Sequence, residues 1–127
     1  MMANPSKQKG SAWEVVVLGH IKAWAHLATL RWHVHRNPPA GTVDVGDIEW
    51  ESTHLDFVVE CKAEKRIDLA TYMREVAVEK ANWEKANGRE AIGVAVVKRR
   101  NHGAGRSYAV MELDELLRLV QRAEGGL

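Results

Sequence analysis

The stretch FVVECKAEKR, residues 57 to 66, decides how the chain is read. Phe57-Val58-Val59 is an apolar run of strand type, yet it leads straight into Glu60 and Lys62 and then into a charged segment. Side chains alternate along a strand, so Glu60 and Lys62 share one face while Phe57, Val59 and Cys61 share the other. Two charges at the end of a core strand are costly unless they are paired or put to use.

Working outward, residues 46–51 read as a second strand, joined to 55–62 by a tight turn near Ser52-Thr53-His54. On it Asp47 and Glu49 share one face, and Ile48 and Trp50 the other. Pairing the two strands as a hairpin merges the apolar sets and leaves Asp47 and Glu49 beside Glu60 and Lys62. Asp47 and Glu60 then lie opposite or diagonal, with Cβ atoms roughly 5–8 Å apart. Carboxylates that close repel unless a cation or a proton sits between them. Magnesium suits the position, because it takes one or two carboxylates plus water and leaves room for a phosphate oxygen. Lys62 would orient an attacking water or hold the scissile phosphate. The other reading of these residues is an exposed face of cross-strand acid–lysine pairs, and Glu-x-Lys taken alone fits it. Glu14, on the flank of a helical apolar stripe, either supports a cation site or is a first-turn glutamate favoured by the helix dipole.

Around this hairpin the pattern is regular. Residues 1–9 read as a flexible basic arm and 10–127 as a single domain. Residues 11–29 fit a helix capped by Ser11, with a stripe of Val17, Ile21, Trp24 and Ala28 that Val16 and Leu27 widen. Trp32–His35 alternates as a short strand, and Pro38, Pro39 and Gly41 then impose a loop. Asp68 suits the N-cap of a second helix whose stripe is Leu69, Tyr72, Met73, Val76 and Trp83, ending near Asn87-Gly88. Residues 91–98 are a continuous apolar run, as in a strand covered on both faces. A glycine hairpin leads to a strand at 106–111, and Leu113, Leu116, Leu117 and Val120 mark a closing amphipathic helix. The order αβββαββα, with an apolar strand after a crossover helix, predicts an α/β domain whose mixed sheet is flanked by helices.

Composition narrows the class. The chain has 127 residues, 46% hydrophobic and 28% charged, the size and balance of one globular domain. No apolar run is long enough for a membrane span, and the N-terminus lacks the apolar core of a signal peptide. Cys61 is the single cysteine, which excludes an intrachain disulfide and points to a reducing, cytoplasmic setting. Net charge is only +1, but it is laid out in blocks. Lys7, Lys9, Lys22, Arg31 and Arg36 stand against Glu14 in residues 1–43. Residues 44–60 carry only acids among their charges, and residues 91–111 only bases: Lys98, Arg99, Arg100 and Arg106. An acidic centre between basic segments reads as a cation site framed by phosphate-binding surfaces, or as surface charge that falls in blocks. Arg36, beside His33 and His35, is a further candidate phosphate contact. Trp13, Trp24 and Trp83 sit at core spacing, and Cys61 on the apolar face reads as core.

The ordered set Lys9-Gly10-Ser11-Ala12-Trp13-Glu14, then Gly46-Asp47-Ile48, then Glu60-Cys61-Lys62 resembles the PD-(D/E)XK nuclease superfamily. Within it, the set resembles the Holliday junction resolvase-like endonucleases of archaea and bacteriophages. The likeness spans residues 7–111 and implies a restriction-endonuclease-like fold. It implies Glu14 as the helix carboxylate, Asp47 and Glu60 as metal ligands, the Cys61 backbone carbonyl as a further ligand, and Lys62 as the catalytic lysine. It also implies Mg2+ or Mn2+, hydrolysis of phosphodiesters in branched DNA, and a homodimer, in the host cytoplasm if phage-encoded. Lys7, Lys9, Lys98, Arg99, Arg100 and Arg106 would contact DNA. Gly46 replaces the proline of the superfamily's name, and Thr42, the one hydroxyl in the loop before it, is a further candidate DNA contact. A relative cutting flaps or ends, or a DNA-binding protein with this fold and no chemistry, are the other expectations.

Overall fold

In a computed structural model, residues 5–38 and 43–125 are described, with side chains from Ser11 onward. The first helix, α1, runs Pro5–Leu27. It opens on a proline, whose fixed φ and missing N–H suit a first helical position. Ser11 therefore lies within the helix and does not cap it. Residues 1–4 of the expected arm, and the side chains of Lys7 and Lys9, lie outside the described residues.

Three strands follow: β1 (His33–Arg36), β2 (Ile48–Glu51) and β3 (Asp56–Lys62). After them come α2 (Leu69–Asn87), β4 (Ile92–Val97), a 3-10 turn at Ala104–Arg106, β5 (Tyr108–Val110) and α3 (Leu113–Ala123). The five strands form one sheet in chain order. All neighbours pair antiparallel except β3 and β4, which are parallel and joined through α2. The αβββαββα order and the mixed sheet are as expected, with β5 shorter than the 106–111 run because the 3-10 turn takes up Arg106. None of the described helices is long and apolar enough to cross a membrane.

The register explains the sandwich. Ile48 pairs with Val59 and Trp50 with Phe57, so one face of the central strands is apolar throughout. It packs with Cys61, Ile92 and Val94 under Trp13 and Val17 of α1. Each such side chain contributes about 1.5–3 kcal/mol on burial. Trp13 also ties α1 to β4 by donating from Nε1 to the Val96 carbonyl at 3.1 Å. The stripe of α1 is Trp13, Val17, Ile21 and Ala25, rotated from the expected one, and it leaves Val16, Trp24 and Leu27 exposed. Trp24 is 62% exposed and belongs to no core.

The opposite face carries Val58, covered by Trp83, and Ala95 and Val97, covered by Tyr72 and Val76 of α2. The ends of α2 are as read: Asp68 accepts from the Thr71 N–H, and Gly88 closes it in the left-handed region at φ 68°. Leu69, expected in the stripe, is half exposed. The face of α3 is the reverse of expectation. Leu113, Leu116, Leu117 and Val120 point outward, and the buried residue of the helix is Glu115.

Candidate functional site

The acidic centre folds into a line of carboxyls where β2 begins and β3 ends. Asp47 stands one step beyond the last β2–β3 pair, Ile48 with Val59, and its backbone N–H donates to the Val59 carbonyl at 3.0 Å. Its side chain turns back, and Oδ2 accepts the Cys61 N–H at 2.8 Å. Gly46 makes this possible. At φ +91° it lies where L side chains rarely go, and a Cβ there would meet Val58 Cγ1 at 2.8 Å. The Asn37 side chain donates to the Gly46 carbonyl at 3.0 Å, and its backbone N–H to the Asp47 carbonyl at 2.9 Å.

Glu14 reaches this end of the sheet from α1, bound to Arg36 Nη2 at 2.7 Å. Arg36, expected as a phosphate contact, is thus half-buried against Glu14, and its Nε is buried with no hydrogen-bond partner among the described residues. On the α2 side, Glu60 is buried in β3. Lys62, on the same face, lies 3.9 Å from Glu60 Oε1, is ion-paired with Glu75 of α2, and sits 5.2 Å over the Tyr72 ring.

Burial dominates the electrostatics. Burial, then the neighbouring Glu60 carboxyl, push Asp47 up to about 7. Burial, then Glu79, push Glu60 up to about 9. Glu14 is also raised, by burial and by Asp47, with Arg36 pulling it back. Burial works against the charge on Lys62, but Glu75 and Glu60 outweigh it, so the lysine is raised and holds its proton at neutral pH. The Cys61 thiol, buried in the α1-side core, is pushed far above the ordinary thiol range by burial and by the acids around it. It is a core residue, as expected.

Two carboxylates of this line escaped the sequence reading. Asp44, Glu60 and Glu79 each present an oxygen within 4.8 Å of the others. Burial, then the Asp44 and Asp47 charges, push Glu79 up to about 7 against the opposing pull of the facing Glu60 carboxyl. The signal for Glu79 was present: Tyr72, Val76, Glu79 and Trp83 are the buried residues of α2, at offsets of four, three and four. An acid therefore occupies a core position of the stripe. Asp44 gave no signal beyond its place in the acidic run, and Glu75 none beyond helical spacing from Val76.

The basic segments lie close by. The Lys98 N–H donates to the Lys62 carbonyl at 2.8 Å, which sets the β4–β5 loop next to the end of β3. A groove of about 860 Å3 opens there between Trp13 and Val16 of α1, Lys65 and Ile67 after β3, and Lys98, Arg99, Arg100 and His102. Lys98 is held 5.8 Å over the Trp13 ring and Arg99 4.9 Å over Tyr108. Arg106, exposed, joins the loop by accepting from Arg99 through its carbonyl at 3.3 Å. Sequence reasoning missed Lys65. His35 is paired with Glu49 at 3.0 Å, away from the groove. Thr42 lies outside the described residues.

No protein-family model matches the chain, and no curated protein matches it. Among solved structures, the chain is similar to Hjc of Archaeoglobus fulgidus, a Holliday junction resolvase from an archaeal hyperthermophile. The two are 16% identical over 77% of this chain and 89% of that one, with a TM-score of 0.44.

Proposed function

We propose that the chain is a divalent-cation-dependent endonuclease that hydrolyses phosphodiesters in branched DNA, a Holliday junction resolvase-like enzyme acting as a homodimer in a reducing cytoplasm. The observation that carries the reading is the juxtaposition of Asp47 and Glu60, carboxyl against carboxyl, on the face that Lys62 shares. The basic groove begins at the next strand end. The donor set fits a hard cation: buried carboxylate oxygens that repel one another in the ionised form. Asp47 and Glu60 would hold Mg2+ or Mn2+, with the Cys61 carbonyl between Glu60 and Lys62 in sequence as a further ligand. A bound dication supplies charge neutralisation at the phosphodiester and acidifies water.

The rest of the chemistry falls to the chain's own groups. Lys62, kept protonated by Glu75 and Glu60, serves as a fixed positive charge that orients water or phosphate and not as a base. Glu14 holds Arg36 and closes the α1 side of the site. Lys98, Arg99, Arg100 and Arg106, with Lys7 and Lys9, would track the DNA backbone. The exposed apolar stripe of α3 supports a two-fold partner, since a junction needs two symmetric cuts and each chain offers one site.

The test is cleavage of four-way junction, flap and linear duplex with and without Mg2+ or Mn2+, with sedimentation run alongside. Asp47→Ala and Glu60→Ala should abolish cleavage and leave DNA binding intact or tighter. Lys62→Met should slow turnover by about 2–4 kcal/mol of transition-state stabilisation. Wild-type rates in these variants would overturn the site. A monomer that prefers flaps or ends would replace the resolvase with a flap or end nuclease.

A further inference from the structure

We propose that Asp44, Glu60 and Glu79 form a second divalent-cation site on the α2 side of Glu60, taking Mg2+ or Mn2+. The inference deepens the nuclease reading and rests on it only through the shared Glu60. Its ground is the buried Glu79 carboxylate, placed where a core side chain belongs, with oxygens of buried Glu60 and exposed Asp44 within 4.8 Å. Glu79 is 2% exposed, in the stripe of α2 between Val76 and Trp83. Its Oε2 is buried without a hydrogen-bond partner among the described residues. Among the described residues no ion pair reaches Glu79 or Asp44. A buried carboxylate with an orphaned oxygen, facing two further carboxylates, is strongly unfavourable by itself. A hard dication at the centre of the three removes that cost.

The surroundings are built for the placement. The Gly46 N–H donates to Asp44 Oδ1 at 3.0 Å and turns that carboxylate back towards the helix. Asn82, three residues beyond Glu79 on α2, donates from Nδ2 to the Asp44 carbonyl at 2.8 Å and fixes the segment against the helix. A Cβ on Gly46 would come within 3.3 Å of Glu79 Oε2, so the glycine leaves that oxygen its room. The spacing suits the ion. Oxygens on opposite sides of magnesium, at about 2.0–2.1 Å each, are at most about 4.2 Å apart, and on calcium, at about 2.3–2.6 Å, up to about 5.2 Å. The three oxygens lie within 4.8 Å, within calcium's reach as they stand and within magnesium's after a small contraction.

Binding of Mn2+ alone to the full chain at mildly alkaline pH, counted by the paramagnetic resonance signal of the free ion, tests this without reference to cleavage. Wild type should take up two Mn2+ per chain, Glu79→Gln and Asp44→Asn one each, and Asp47→Asn should keep one. Unfolding melts confirm that each variant is folded; if Glu79→Gln is not, the exposed Asp44→Asn decides. Wild-type stoichiometry in both Glu79→Gln and Asp44→Asn overturns the second site. So does a single Mn2+ in wild type that only Asp47→Asn removes, an outcome that leaves the nuclease reading standing. A single Mn2+ that Glu79→Gln removes and Asp47→Asn keeps upholds the Asp44–Glu60–Glu79 site and overturns Asp47 as a ligand.

Discussion

Gly46 sets the turn that brings Asp47 back to the Cys61 N–H, and its backbone conformation is one that a residue with a side chain rarely adopts. Proline is locked near φ −65°, whereas Gly46 adopts +91° to pass under Val58 and beside Glu79. Gly46→Ala should therefore destabilise the protein by about 2–4 kcal/mol, through left-handed strain and the 2.8 Å approach to Val58 Cγ1. Urea unfolding reads the loss, and equal stability would show that the turn is not held at this φ. The parity of the β2–β3 hairpin made Asp47, Glu60 and Lys62 legible from sequence, since alternation along the paired strands puts them on one face. Glu14 was legible only as an alternative, because a first-turn glutamate has an equal claim from the helix dipole. Glu79 was hidden by the habit of reading a charged residue as the solvent side of a helix.

At the scale of elements, the caps of α2 and the strand patterns were easily read, because Asp68, Gly88 and the 91–98 run are local signals, whereas the cap expected at Ser11 lies inside α1. The faces of α1 and α3 were not, because tertiary partners set them. α3 turns Leu113, Leu116 and Leu117 outward because Glu115 is claimed by the sheet. β5 pairs only with Ala95 to Val97, so the earlier part of β4 has an open edge. Glu115 closes it by accepting the Gly93 N–H at 2.6 Å, and it also binds Lys80 at 2.7 Å and Arg118. Nothing within the pattern of residues 113–123 announces that a strand N–H needs an acceptor. Glu115→Ala should cost about 3–5 kcal/mol, since it strands a buried N–H and the Lys80 ammonium together. Hydrogen exchange should show α3 and Gly93 losing protection ahead of β3. A variant with the protection of wild type would mean that Leu119, packed on the α1-side core, holds the helix by itself.

Across the whole molecule, the charge blocks of the sequence become a spatial arrangement: an acidic line at the sheet end with basic loops beside it. Net charge of +1 conceals this, and so does any single-residue view, because the cost lies in the carboxyls taken together. That cost fixes the response to pH. Asp47 is raised from 3.8 to about 7, Glu79 from 4.5 to about 7, and Glu60 from 4.5 to about 9. Each is therefore protonated in the folded chain over a range where the unfolded chain has released its proton. The folded state binds more protons, so stability falls as pH rises. The contribution is whole below about pH 4 and is lost through about 7 and then about 9, at roughly 1.4 kcal/mol per retained proton per pH unit. In chelator, the unfolding temperature should drop steadily from pH 5 to pH 9. A dication at this line would bind the ionised form, so the stabilising effect of added Mg2+ or Mn2+ should grow over the same range. Glu79→Gln removes one of the crowded carboxylates and relieves Glu60, so it should flatten the chelator profile. A metal-free protein as stable at pH 9 as at pH 5 would mean that the line of carboxyls ionises without strain, and the case for a cation there would lose its energetic basis.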